Sequence, residues 1–131
     1  SNKKLAIFGF SFKANTNDTR ESPSISISKH LFKEGSYLHF YDPKVKKDEI
    51  VKEFQENKYE KKLNVFETAL DAAKGTDAII ILTEWEQFLN LDWELIFKIM
   101  RKPAWIFDSR NFLDINHLRN IGFKVWSLGQ S

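Results

Sequence analysis

Asp77-Ala-Ile-Ile-Ile-Leu-Thr83 is the run that decides the fold. It is continuous, apolar and β-branched, with a polar residue at each end. A strand of this kind has no solvent face, so it belongs inside a parallel sheet covered on both sides. Everything around it supports that setting. Upstream, residues 68–74 read as a helix stopped by Gly75, and Val65-Phe66 as a brief strand before it. Downstream, Trp93, Ile96, Phe97 and Met100 recur at helical spacing and Pro103 follows their end. Residues 104–108 and 123–128 are two more strands, with a helix over 114–120 between them that stops at Gly122.

The first third repeats the pattern. Residues 5–10 form an apolar strand, and Ser22-Pro23 starts a helix, Ser as the cap and Pro at the first helical position. Ile25, Ser28, Leu31 and Phe32 share one helical face and Gly35 ends it. Residues 37–41 are a strand closed by Asp42-Pro43. Residues 44–62 are rich in Lys and Glu, and Ile50, Val51 and Phe54 mark a short amphipathic helix there. Strand and helix alternate throughout, which calls for right-handed crossovers. The expected fold is α/β: a three-layer Rossmann-like domain with a mostly parallel sheet and helices on both faces.

A chain of 131 residues suits one domain, taken here as residues 4–131. The twelve Phe and four Trp predict an aromatic core. There is no cysteine, which removes disulfides, thiolate metal sites and thiol nucleophiles from this chain and fits a reducing, cytoplasmic setting. A net charge of +2 is too balanced to argue for nucleic-acid or membrane partners. No apolar run reaches the ~20 residues that span a bilayer. An anionic ligand would therefore need a few well-placed cations.

Ligands of open parallel sheets bind at the carboxyl ends of the strands, near the point where strand order reverses. Three polar clusters fall at such ends: Phe12-Lys13 with Asp18-Thr-Arg-Glu-Ser22, then Thr83-Glu-Trp85, then Asp108-Ser-Arg-Asn111. Lys13 and Arg110 are the best anion ligands among them, one a mobile point charge and the other a planar fork. The free N–H groups of the helix beginning at Ser22 would add to the same edge, and together they could hold a diphosphate. Plainer readings stand beside these. A single Lys after a strand is more often a solvated turn residue, Asp18, Arg20 and Glu21 read as a local ion-pair cluster, and Trp85 as a packing residue. His30, His39 and His117 lie on separate elements and suggest neither a metal site nor a catalytic pair. Gly9 is followed by Phe, Ser, Phe and Lys, so the G-x-G-x-x-G turn of a dinucleotide site is missing and Asp42-Pro43 reads as a structural turn.

The motifs resemble a known family. Gly9-Phe-Ser-Phe-Lys13, Asn17-Asp-Thr-Arg-Glu-Ser-Pro23, Tyr41-Asp-Pro43, Thr83-Glu-Trp85 and Phe107-Asp-Ser-Arg-Asn111 match, in order, the C-terminal domain of UDP-glucose/GDP-mannose dehydrogenases. The resemblance runs from Lys4 to the end of the chain and is nearest the UDP-glucose 6-dehydrogenase branch. It implies a domain that closes over a UDP-sugar during a two-step, NAD-dependent oxidation of the sugar C6 alcohol. It also implies that Phe12, Lys13 and Arg110 bind substrate and that Arg20 reaches NAD held by an N-terminal domain. That domain would be the chain's main partner, in a homo-oligomeric enzyme whose catalytic cysteine lies outside this chain. No catalytic residue and no metal ligand is expected here, and the chain alone should be inactive. The same domain of a UDP-N-acetylmannosamine or GDP-mannose dehydrogenase, and a non-catalytic docking module, are the alternatives.

Overall fold

A computed structural model of the protein describes residues 2–55 and 59–128. Residues 56–58 of the Lys- and Glu-rich segment and the last three residues of the expected domain lie outside the described residues. Six strands form one parallel sheet: β1 (Lys4–Phe8), β2 (Tyr37–Tyr41), β3 (Leu63–Val65), β4 (Ala78–Ile81), β5 (Trp105–Asp108) and β6 (Lys124–Ser127). Their order is β3-β2-β1-β4-β5-β6, so the 77–83 run occupies the centre and strand order reverses between β1 and β4.

Five helices connect them: α1 (Pro23–Lys33), α2 (Lys47–Val51), α3 (Ala69–Ala73), α4 (Trp93–Ile99) and α5 (Ile115–Ile121). Most starts are fixed by a side-chain oxygen that accepts an otherwise free backbone N–H. Ser22 caps α1 through the N–H of Ser24, with Pro23 in the first turn as expected. Thr68, Asp92 and Asp114 do the same for α3, α4 and α5.

The core divides by sheet face. On one face Phe8, Ile79, Ile81 and Ile106 pack under α3, α4 and α5, with Trp93, Ile96 and Phe123 completing the layer. On the other, Ile7, Leu38 and Phe40 pack under α1 and α2, with Phe10, Phe32, Ile50 and Phe54. Each large apolar side chain removed from water stabilises the fold by about 1.5–3 kcal/mol, so the two layers carry the architecture. His39 packs into the α3 side of β2, with its Nδ1 donating to the Ala72 carbonyl at 2.9 Å. Burial, more than the nearby charge of Lys4, holds its pKa below the usual histidine value, while the bond to Ala72 opposes the shift.

Several details depart from the expected elements, among them the brief strand expected at Val65-Phe66, which lies over Leu63–Val65. β1 stops at Phe8 and not at residue 10, because Gly9 turns the chain at φ +100°. A 3-10 turn over Glu86–Asn90, unmarked by any periodicity, inserts Phe88 into the core. Burial on both faces holds fully for Ile79 and Ile81 but only partly for Ile80. The reason is topological: α1 and α2 cover the β1–β3 half of their face, which leaves Trp126 47% exposed on β6.

Candidate functional site

The carboxyl ends of β1, β4 and β5 meet at the reversal of strand order, and two buried aspartates shape the turns there. Asp42 follows β2 and is 8% exposed. Its Oδ2 accepts the N–H groups of Phe10 at 2.7 Å and Ser11 at 3.1 Å, together with the indole N–H of Trp85 at 3.2 Å. Its Oδ1 accepts the N–H groups of Lys44 at 2.8 Å and Val45 at 3.0 Å. One carboxylate thus ties the turn after β1 to the turn after β4. Asp42-Pro43 is the structural turn expected from the sequence, and Trp85 is a packing residue whose polar atom is satisfied.

The turn after β1 is fixed further from below. Ser24 Oγ donates to the Gly9 carbonyl at 2.9 Å, Thr83 Oγ1 to the Ser11 carbonyl at 3.0 Å, and Ser11 Oγ to the Lys13 carbonyl at 2.8 Å. Phe12 and Lys13 are therefore exposed side chains on a constrained backbone. Asp108, fully buried at the end of β5, plays the second part. It accepts from Arg110 N at 3.1 Å and from Phe112 N and Leu113 N at 2.7 Å each. Ser109 Oγ donates to the Ile81 carbonyl at 2.6 Å and locks this turn onto β4.

Between the turns lies a cleft of about 170 Å³ lined by Phe12, Lys13, Ala14, Leu82, Thr83, Glu84 and Arg110. Phe12, Lys13 and Arg110, far apart in sequence, line one space. Phe12 is 49% exposed and offers a ring surface at the mouth. Lys13 makes no ion pair among the described residues. Arg110 is already held: its Nη2 and Nε reach the same Glu84 oxygen at 2.8 and 2.9 Å. The sequence placed Glu84 at this edge without giving it a role.

Arg20 stands apart from the cleft lining. Its guanidinium lies on Asp18, Nη2 at 2.8 Å and Nε at 3.0 Å, on the open surface. The Arg20 side chain, with help from its backbone N–H, holds the Asp18 carboxyl at a pKa of about 2. The start of α1 does not line the cleft either, and Ser22 Oγ already accepts the N–H of Ser24. The anion-binding contribution expected of this helix end is thus absent from the cleft lining.

Two wider surface hollows occur elsewhere. One, of about 690 Å³, lies beyond β2 and β3 with Lys44, Lys46, Lys47, Phe66 and Glu67 in its wall. The other, of about 570 Å³, lies along α4 and α5 beside Phe97 and His117. Neither is at the reversal of strand order, and neither joins a lysine and an arginine from separate turns. The smaller cleft is the stronger candidate for that reason. Among the described residues no three His, Asp or Glu gather as a metal site, and no helix is long and apolar enough to cross a membrane.

Comparison with known proteins shows the family and the fold. Residues 6–115 match the model of the UDP-glucose/GDP-mannose dehydrogenase family, UDP binding domain. The chain is 44% identical over 138 residues to the UDP-glucose 6-dehydrogenase of Gallus gallus, covering 99% of this chain and 28% of that protein. It is 41% identical over 145 residues to UDP-glucose 6-dehydrogenase 2 of Arabidopsis thaliana, covering 99% of this chain and 30% of that one. The solved structure of the UDP-D-ManNAc dehydrogenase of Pyrococcus horikoshii superposes with a TM-score of 0.72 at 26% identity, over 98% of this chain and 26% of that one. The chain thus spans less than a third of the length of these curated relatives.

Proposed function

The chain belongs to the UDP-glucose/GDP-mannose dehydrogenase family, matching its UDP-binding domain, and on that premise we propose that the cleft of Phe12, Lys13 and Arg110 receives a UDP-sugar. The observation that carries this reading is the convergence of Lys13 and Arg110 from two rigid turns on one small cleft. A diphosphate needs cations on more than one side, and a planar fork beside a point charge answers that need. The half-exposed ring of Phe12 gives the uncharged part of the ligand an apolar surface.

In this reading residues 4–131 are the nucleotide-sugar half of a cytoplasmic, oligomeric UDP-glucose 6-dehydrogenase. The parent enzyme oxidises UDP-glucose to UDP-glucuronate in two NAD-dependent steps. The 41–44% identity to UDP-glucose 6-dehydrogenases favours that substrate over UDP-N-acetylmannosamine or GDP-mannose. The turn after β1 does not fit the dinucleotide itself. The N–H groups of Phe10 and Ser11 already donate to Asp42, where a pyrophosphate would need glycine and open backbone. NAD is therefore assigned mainly to an N-terminal domain, with Arg20 as the one contact from this side. The openness of Arg20 and its orientation by Asp18 support that assignment.

Steady-state kinetics of the full-length protein test both halves of the proposal. Lys13→Ala and Arg110→Ala should each raise the KM for UDP-glucose about tenfold or more, the loss of a charge-assisted contact. Arg20→Ala should raise the KM for NAD more than that for UDP-glucose. The reverse order moves Arg20 into the substrate site or into a structural role, and a preference for GDP-mannose overturns the substrate assignment.

A further inference from the structure

We infer that Glu84 is a positioning residue for the anion-binding arginine, an inference that rests on the UDP-site reading above. Both Nη2 and Nε of Arg110 bond the same Glu84 oxygen, at 2.8 and 2.9 Å. The backbone N–H of Arg110 is meanwhile fixed by Asp108 at 3.1 Å. The long arginine side chain is thus anchored at its root and at its tip, while Nη1 makes no bond among the described residues. An arginine that is free in solution loses its rotamer freedom when it takes a ligand, and that loss weakens binding. Here the ordering is done before the ligand arrives.

A carboxylate in an anion cleft has an alternative role, which is to compete with the ligand for the guanidinium. Geometry favours positioning. A single Glu84 oxygen occupies one edge of the planar group, and the opposite nitrogen stays open to a second acceptor. Lys13 and Arg110 against Glu84 leave the cleft with a net charge of +1, so it attracts a diphosphate even with the pair intact. Both side chains are nearly half exposed, at 46% and 44%, so the pair is dispensable for folding and its removal leaves the turn backbone in place.

A double-mutant cycle reads this directly, with UDP as the probe and dissociation constants from calorimetry on the 131-residue chain and on the full-length protein. Glu84→Ala should weaken UDP binding roughly two- to fivefold, the range that an exposed ion pair spans. Glu84→Gln keeps an acceptor oxygen at the same place and should recover most of the loss. In an Arg110→Ala background Glu84→Ala should change nothing further, because its effect passes through Arg110. Tighter binding by Glu84→Ala makes Glu84 a competitor and overturns the inference. An equal loss in both backgrounds, or no change in either, also overturns it. Absence of UDP binding by wild-type chain and full-length protein alike removes the UDP-site reading itself. UDP binding that responds to Arg110 and not to Glu84 removes only this inference.

Discussion

Asp42→Asn should lower the unfolding free energy by about 3 kcal/mol, a large change for a substitution that alters almost no volume. The carboxylate accepts on both oxygens, from three donors on Oδ2 and two on Oδ1. An asparagine has one acceptor oxygen, and its NH₂ group must then face two or three N–H donors that are already in place. Reorienting the amide only exchanges which turn loses its partner. Each buried donor left unsatisfied costs about 1–3 kcal/mol, and the bonds lost are charge-assisted ones. Chemical denaturation measures the loss. The same substitution should also weaken UDP binding, since Asp42 fixes the turn that carries Phe12 and Lys13. A loss under about 1 kcal/mol means that water replaces the carboxylate and that the turn keeps its shape without it.

Gly9→Ala should cost about 4 kcal/mol, through two separate causes that a paired control divides. A Cβ at position 9 would lie 2.5 Å from the Cβ and Oγ1 of Thr83 and 2.7 Å from its backbone nitrogen. That nitrogen belongs to the chain leaving β4 and has no freedom to retreat. The φ of +100° adds backbone strain for any L side chain. Gly75 isolates the strain, since its φ is +71° and a Cβ there meets nothing within 4 Å. Gly75→Ala should cost only about 1 kcal/mol. Equal losses at the two positions would mean that the close approach of β1 to β4 contributes little. The approach matters for function because it brings the Lys13 turn against the Thr83-Glu84 edge.

Much of the fold was legible in the sequence because its signals are local. The run from Asp77 to Thr83 reads as a buried strand and is one, and Ser22-Pro23 set the start of α1 where the structure has it. What was not legible depends on partners far apart in the chain. Asp42 reaches Phe10 and Ser11 across about thirty residues, and Glu84 reaches Arg110 across 26. No periodicity records such pairs. The short Asp-x-x turns, in which a carboxylate accepts N–H groups a few residues on, are the one local signal that marks Asp42 and Asp108. The half-covered sheet face shows a further limit. With right-handed crossovers, which face a helix covers follows from the strand order, and no local signal in β4 to β6 records that order. The position of Lys13 beside Arg110 was foreseeable, since topology alone brings the ends of β1 and β5 to one edge. The separation of the α1 start from that cleft was not.

We propose that this small cleft, and not either larger hollow, takes the nucleotide. Amide chemical shifts of the chain, followed during a UDP titration, test it residue by residue. The largest changes are expected at residues 11–14, at Thr83 and Glu84, and at Arg110 and Asn111, with little response elsewhere. Changes centred on Lys44, Lys46 and Lys47 beyond β2, or on Phe97 and His117 between α4 and α5, with the first set unmoved, would contradict it.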